Sequence, residues 1–140
     1  MTTSISEIRK DFPLLMSNDV IYLDTAATSQ KPSCVLEAER TFYEKYNANP
    51  LRGLYELGEA ATEKYEEARE TVREFLNARE AAEIVFVRNA TEGLNLVAYS
   101  FGSLVLKPGD EILVSIMEHH SNLLPWQQAA ARTGAVVKYL

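Results

Sequence analysis

The second half of the chain alternates between two hydrophobic periods, and this alternation restricts the available folds more than any other feature. Apolar runs predicted as strands, Ile84–Val87, Glu111–Ser115 and Val136–Leu140, are separated by helical patterns over 90–102 and 124–132. Such alternation calls for a parallel sheet with helices on its faces, and ligands then bind at the carboxyl ends of the strands. The pattern therefore predicts an α/β fold of β-α-β-α-β order, with a sheet left incomplete after its last strand.

The first half is predicted to be mostly helical. Its elements are a capped helix from Ser4 that ends before Pro13, a strand Val20–Leu23, a helix Pro32–Tyr46 and a long helix of about Glu59–Asn77. We therefore divide the chain into two parts. Residues 1–80 form a helical arm with one short strand and active-site loops, and residues 81–140 carry the β-α-β-α-β order.

Charge and composition narrow the classes of partner. The chain has 14 basic and 20 acidic residues, and its net charge of −6 argues against a nucleic-acid surface or an anionic membrane face. No apolar run approaches the roughly 20 residues that span a bilayer, and the first ten residues lack the order of a secretory signal, so we expect a cytoplasmic location. Cys34, the only cysteine, is expected to be a small buried side chain.

Two polar loops follow neighbouring predicted strands and should meet at one edge of the sheet. Arg88–Thr91 follows the first strand and Glu118–Asn122 follows the second. The first N–H groups of a helix have no intrahelical acceptor, so a helix that begins after Asn89 can hold a phosphate, with the Thr91 hydroxyl as a further donor. The same residues can also form a simple helix cap, with Asn89 as N-cap and Glu92 as its partner. Because dinucleotide and P-loop glycine signatures are absent, the binding hypothesis is a smaller phosphorylated cofactor.

The pair His119-His120 invites two interpretations. Neighbouring residues of an extended segment point to opposite sides, and the sequence offers no further histidine to complete a four-ligand set, so we predict no metal site. An imidazole can instead lie over a heteroaromatic ring while the phosphate of that ring sits on the helix start after Asn89.

Six segments carry a family resemblance: Tyr22–Pro32, Tyr46–Asn49, Arg52-Gly53, Arg88–Asn95, Lys107–Asp110 and Met117–Gln127. They closely resemble the cysteine desulfurases of the SufS type, which belong to the class V aminotransferase group of fold-type I pyridoxal-phosphate (PLP) enzymes. The resemblance runs in order from about Ile8 to Leu140. Its most specific part is the histidine motif followed by Pro-Trp-Gln.

The resemblance implies a fold and a cofactor. Residues 81–140 would be the truncated first part of the PLP-binding large domain of a fold-type I transferase, preceded by the arm 1–80. Ala90 and Thr91 would bind the PLP phosphate, and His119 would stack on the pyridine ring.

The resemblance also implies a reaction and partners. A full-length enzyme would convert L-cysteine to L-alanine and leave a persulfide for a sulfur-acceptor protein in iron–sulfur cluster assembly. Ala26 and Ala27 would line the substrate side, and Arg52 would lie near the active site across a homodimer interface.

The sequence lacks the residues that would complete this chemistry. Neither the Schiff-base lysine nor the persulfide cysteine has a matching position up to Leu140, and Cys34 does not match the latter, so no catalytic residue is assigned within the chain. We therefore expect an amino-terminal portion that is inactive alone. Two alternatives stay open: another class V PLP enzyme such as a selenocysteine lyase, and a noncatalytic dimerisation or binding module.

Overall fold

The computed structural model of the chain describes residues 4–140 and divides it into two compact units. The first unit ends at Glu83, and the second is Ile84–Leu140. The division falls three residues after the boundary predicted at residue 80. The described residues form a mixed α/β structure that is mostly helical and contains two strands.

Residues 4–83, the described part of the first unit, form four helices and a terminal 3₁₀ turn. They are α1 (Ile5–Lys10), α2 (Pro13–Ser17), α3 (Ser33–Lys45), α4 (Glu56–Leu76) and the turn Ala81–Glu83. The predicted cap of α1 is confirmed, because the Ser4 hydroxyl accepts a hydrogen bond from the Glu7 N–H at 3.3 Å. Helix α3 lies within its predicted bounds, with Pro32 as N-cap.

Helix α4 begins three residues earlier than predicted, and its first turn makes a close backbone contact. The backbones of Gly53 and Gly58 approach so closely that a Cβ on Gly58 would lie 2.7 Å from the Cα of Gly53. The helix ends at Leu76, and its C-cap Asn77 has a φ of 54°, a left-handed value that suits asparagine. The predicted ion pairs on its polar side are confirmed, with Arg69–Glu66 at 3.0 Å and Arg73–Glu70 at 2.7 Å.

The predicted strand Val20–Leu23 is wrong, since this segment lies outside the strands of the described residues. The Val20 carbonyl, which a ladder would use, accepts a hydrogen bond from the Arg9 guanidinium at 3.0 Å. The Tyr22 hydroxyl donates to the carbonyls of Asp24 at 3.1 Å and Thr28 at 2.7 Å. Side chains therefore hold the segment in place of a β ladder.

Cys34 is exposed, so its predicted burial is also wrong. It lines a cavity of about 580 Å³ together with Phe42, Tyr46 and Lys64. Cys34 lies on the same side of α3 as Phe42, since both side chains line this cavity. The described part of the first unit leaves that side open, which periodicity alone does not reveal.

The second unit contains three helices and a two-stranded parallel sheet. Its elements are α5 (Ala90–Tyr99), α6 (Phe101–Val105), β1 (Glu111–Val114), the 3₁₀ turn His120–Asn122, α7 (Leu124–Thr133) and β2 (Val136–Tyr139). Glu111 pairs with Val136 and Val114 with Tyr139, which confirms the predicted parallel pairing of these two strands.

The predicted first strand of the second unit, Ile84–Val87, is not a strand. Ile84 is buried, whereas Val85 to Val87 are exposed. An apolar run indicates that a segment prefers to be buried. A β-strand also needs a neighbouring strand with which it forms backbone hydrogen bonds. In the described residues, the sheet consists of β1 and β2 alone. The observed order is therefore shorter than the predicted β-α-β-α-β.

Gly102 does not end a helix, as the sequence had suggested. Helix α5 ends at Tyr99, and Gly102 lies buried within α6. A Cβ on Gly102 would lie 3.5–3.8 Å from Leu106, Trp126 and Ala129, so this glycine is a packing position. Gly134, by contrast, ends α7 with a φ of 78°, as predicted.

Small side chains dominate the buried positions. Ala98, Ala129, Ala130 and Ala135 are buried in the second unit, whereas many large apolar side chains are exposed, among them Phe75 of the first unit at 87%. Among residues 4–140, no helix combines the length and the apolar character needed to cross a bilayer.

Candidate cofactor site

The amino-terminal end of α5 leaves two backbone donors open. Asn89 caps the helix, and its side-chain carbonyl accepts a hydrogen bond from the Glu92 N–H at 2.9 Å. The Gly93 N–H donates to the Asn89 carbonyl at 3.1 Å. Within residues 4–140, the N–H groups of Ala90 and Thr91 have no acceptor. Asn89 thus forms the predicted helix cap, and the N–H groups of Ala90 and Thr91 still remain as donors that suit an anionic group.

An ion pair holds the acidic residue of this first turn. The Glu92 carboxylate accepts hydrogen bonds from the Arg88 guanidinium at 3.1 and 3.2 Å and from the Arg88 N–H at 2.6 Å. The side-chain hydrogen bond from Arg88, followed by that from its backbone, holds the pKa of the Glu92 carboxyl below its ordinary value. Glu92 therefore carries its charge beside a matching cation near the open donors.

The turn after β1 fixes the position of His119. His119 has extended backbone angles and caps the turn His120–Asn122. Its Nδ1 atom lies 2.9 Å from the Ser121 hydroxyl and accepts a hydrogen bond from the Ser121 N–H at 3.1 Å. The imidazole ring is consequently held at one edge by Ser121.

A chain of side-chain hydrogen bonds ties the same turn to α7. The Trp126 indole N–H donates to the Asn122 side-chain carbonyl at 2.9 Å, and the Asn122 amide donates to the Glu118 carboxylate at 2.9 Å. The Asn122 N–H also donates to the His119 carbonyl at 2.8 Å. Because each partner is four residues from the next, the sequence motif itself sets this spacing.

Thr91 and His119 line the same cavity of the second unit. The cavity has a volume of about 330 Å³, and its wall also includes Asn95, His120, Ser121, Leu124, Pro125 and Gln128. Thr91 also lines an adjoining cavity of about 630 Å³ with Arg88 and Asn89. The two loops thus converge as the sequence predicted. An anion held at the start of α5 and a ring beside His119 can therefore occupy neighbouring positions.

Asn95 and Ser121 are polar residues of this cavity to which the sequence analysis gave no role. Asn95 follows Thr91 by one helical turn, and its amide donates to the Thr91 carbonyl at 2.8 Å. Ser121 follows His119 by two residues and contacts its ring. The signals were the four-residue spacing from Thr91 for Asn95 and, for Ser121, a serine within a short turn next to the histidine.

The predicted substrate-side residues lie in the first unit. Ala26 and Ala27 are exposed and belong to a turn in which the Ala27 N–H donates to the Asp24 carbonyl at 3.2 Å. Arg52 lies in an exposed turn after Leu51. The substrate-side roles of these residues stay predictions, as do the cofactor roles of Ala90, Thr91 and His119.

Across the described residues, 4–140, no group of three or more histidine, cysteine, aspartate or glutamate side chains could hold a metal ion. The rings of His119 and His120 lie 6.2 Å apart at an angle of 67°. Ser121, rather than another potential metal ligand, contacts His119 Nδ1.

Comparison with known proteins gives consistent matches. The sequence profile of the family Aminotransferase class-V matches residues 21–140. A probable cysteine desulfurase from Synechocystis sp. is 54% identical over 137 residues, which cover 95% of this chain and 33% of that protein.

Two solved structures are similar over the whole chain. The apo cysteine desulfurase from Thermococcus onnurineus NA1 is 44% identical with a TM-score of 0.89, and 34% of that protein is covered. The cysteine desulfurase CsdA from Escherichia coli is 41% identical with a TM-score of 0.81, and 35% is covered. The chain therefore spans about a third of the length of the proteins it matches.

Proposed function

The chain belongs to the class-V aminotransferase family, and we propose that it is the amino-terminal portion of a PLP-dependent cysteine desulfurase. The single observation that carries this proposal is the shared cavity of Thr91 and His119. The identity of 54% to a probable cysteine desulfurase supports the choice of reaction.

The groups around the cavity would suit both the phosphate and the pyridine ring of PLP. The open N–H groups of Ala90 and Thr91, together with the Thr91 hydroxyl, would hold the phosphate at the start of α5. The His119 ring would stack on the pyridine ring. The pairing of Arg88 with Glu92 supports this assignment because it balances the one carboxylate of the first turn.

PLP, when bound, supplies an electron sink for reactions at the α-carbon of an amino acid. In this proposal the chain itself binds and orients the cofactor, while the lysine that attaches the cofactor and the cysteine that accepts sulfur belong to the rest of the enzyme. The complete enzyme would convert L-cysteine to L-alanine and pass persulfide sulfur to an acceptor protein in iron–sulfur cluster assembly.

The first unit would serve the substrate side. Ala26 and Ala27, whose small side chains permit close approach to the backbone, would line the substrate position. Arg52 is exposed and would act near the active site across the interface of a homodimer.

A chimeric enzyme tests this proposal. Residues 1–140 replace the matching third of the probable cysteine desulfurase from Synechocystis, to which they are 54% identical. We expect the chimera to retain PLP absorbance after dialysis and to release L-alanine from L-cysteine. The chain of 140 residues, assayed alone with added PLP, should release neither alanine nor sulfide.

The alternatives give different results in the same assay. A chimera that folds but binds no PLP would contradict the proposal and favour a noncatalytic module. Turnover of L-selenocysteine without turnover of L-cysteine would favour a selenocysteine lyase. Release of alanine and sulfide by residues 1–140 alone would contradict the assignment of the chain as a portion that needs the rest of the enzyme.

A further inference from the structure

Ser121 makes two contacts with a single atom of His119. The Ser121 N–H donates to His119 Nδ1 at 3.1 Å, and the Ser121 hydroxyl lies 2.9 Å from the same nitrogen. A backbone N–H can only donate, so Nδ1 must present its lone pair to it. A neutral His119 ring then carries its proton on Nε2, and the hydroxyl of Ser121 is a second donor to Nδ1.

The neighbouring histidine lacks this arrangement. In the described part of the chain, the ring nitrogens of His120 make no hydrogen bond, although both histidines line the same cavity. His120 therefore serves as an internal comparison for His119: it is the next residue in the same loop, and its ring lacks the contacts with Ser121.

Hydrogen bonds of Asn122 fix the turn that contains Ser121. The Asn122 N–H closes the turn onto the His119 carbonyl at 2.8 Å. The Asn122 side chain joins Glu118 on one side to Trp126 on the other, with both hydrogen bonds at 2.9 Å. A serine fixed in this way can restrict the rotation of the histidine ring before any ligand binds.

We propose that Ser121 is a positioning residue for His119: its N–H and hydroxyl hold the imidazole by Nδ1, fix the Nε2–H tautomer and set the plane that the ring presents to the cavity. This role rests on the proposed function, in which His119 stacks on the pyridine ring of PLP. A ring that is already oriented loses less rotational freedom when a flat ligand stacks on it, and it therefore binds that ligand more tightly.

Nuclear magnetic resonance of the histidine rings tests the first part without any cofactor. The chain has two histidines, so long-range proton–nitrogen spectra of the ¹⁵N-labelled chain contain two ring patterns, and His120→Ala assigns them. At about pH 8.5, roughly two units above the ordinary histidine pKa, we expect His119 to show a bare Nδ1 and a protonated Nε2. Ser121→Ala should move the His119 nitrogen shifts toward those of His120, and Ser121→Thr should restore them.

Ser103 supplies the matched control, since it is an exposed serine of the same unit. Ser103→Ala should leave both ring patterns unchanged. A proton on His119 Nδ1 in the unsubstituted chain would overturn the inference. Ser121→Ala keeps the backbone N–H and removes only the hydroxyl, so His119 shifts that it leaves at their original values would overturn the role of the hydroxyl.

Binding of PLP to the chimera tests the second part. We expect His119→Ala to weaken PLP binding about threefold to tenfold, the range given by loss of one stacking contact. Ser121→Ala should weaken it by a smaller factor, and the double variant should bind no more weakly than His119→Ala, because Ser121 acts through His119. If the losses of PLP affinity in Ser121→Ala and His119→Ala add in the double variant, the positioning role of Ser121 is overturned. If His119→Ala binds PLP as tightly as the unsubstituted chimera, the proposed stacking is overturned, and the ring spectra then test the contact with Ser121 separately.

Discussion

Thr91 and His119 line one cavity of the second unit, although they belong to different turns of the chain. Thr91 lies in the first turn of α5, beside N–H groups that suit an anion, and His119 presents a flat ring. One ligand with a phosphate and an aromatic ring would use both residues at once. The two residues therefore make separable contributions, which a ligand without the phosphate can distinguish.

Thr91→Ala should weaken the binding of PLP but not that of pyridoxal, which has the same ring and no phosphate. Loss of a hydrogen bond to a charged group costs about 1.5–3 kcal/mol, so we expect the affinity of the chimera for PLP to fall about tenfold or more. His119→Ala should weaken both ligands by a similar factor. Equilibrium dialysis measures both affinities, and an equal loss for PLP and pyridoxal in Thr91→Ala would contradict the phosphate assignment.

Breaking the hydrogen-bond chain behind His119 should destabilise the second unit. Asn122→Ala removes the partner of both Glu118 and Trp126, and we expect the free energy of unfolding to fall by about 1–2 kcal/mol in urea titrations. Trp126→Phe should cost about 1 kcal/mol. The double variant should lose less than the sum of the two single losses, because they share one hydrogen bond. Fully additive losses would show that this bond contributes nothing.

The sequence was sufficient to predict features that depend on local chemistry. The Ser4 cap, the end of α7 at Gly134 and the parallel pairing of β1 with β2 follow from residues close to each element or from simple alternation. The loops of Thr91 and His119 were predicted to converge because each follows a predicted strand; they do line one cavity, although Ile84–Val87 is not a strand.

Features that depend on distant partners were not predictable in the same way. Ile84–Val87 has the composition of a strand, but composition does not supply the neighbouring strand that a ladder requires. Cys34 lies within a helical pattern, yet its exposure depends on what covers that side of α3. The ring contact of Ser121 depends on the rotamer of His119, which no sequence pattern specifies.

Replacing Gly58 by alanine should destabilise the first unit despite the better helix propensity of alanine. Its Cβ would lie 2.7 Å from the Gly53 Cα and 3.3 Å from the Gly53 carbonyl carbon, and backbone atoms cannot move aside as a flexible side chain can. We expect the free energy of unfolding to fall by about 1–3 kcal/mol, the range for overpacking.

Gly93 is the matched control for Gly58. It also lies in a helix, but a Cβ there would meet Val87 Cγ2 at 3.5 Å, which is ordinary contact. Gly93→Ala should therefore raise the free energy of unfolding by up to about 1 kcal/mol. Equal effects of the two substitutions in urea titrations would contradict the close approach of Gly53 and Gly58.

Leu51→Gly should stabilise the first unit. Leu51 has a φ of 69°, a left-handed conformation that costs a residue with a Cβ about 1–2 kcal/mol, and its side chain is 63% exposed. Part of the gain is offset because glycine makes the unfolded chain more flexible, so we expect a net increase of about 0.5–1 kcal/mol. Leu54→Gly, at an exposed position without a positive φ, should give no increase. Thermal and urea unfolding measure both, and a loss of stability in Leu51→Gly would contradict the strained turn.

The Arg88–Glu92 pair should make the stability of the second unit depend on pH in the acidic range. Hydrogen bonds from Arg88 lower the pKa of the folded Glu92 carboxyl below its ordinary value of 4.5, so the folded state binds a proton less readily than the unfolded state does. The stabilisation is therefore fully present above about pH 4.5 and is lost as the pH falls through the lower pKa of the folded state. Glu92→Gln should remove this part of the pH dependence, whereas Glu80→Gln, at an exposed position of the other unit, should leave it unchanged. Urea titrations at a series of pH values provide the measurement, and identical pH profiles for Glu92→Gln and the unsubstituted chain would show that the pair does not stabilise the start of α5.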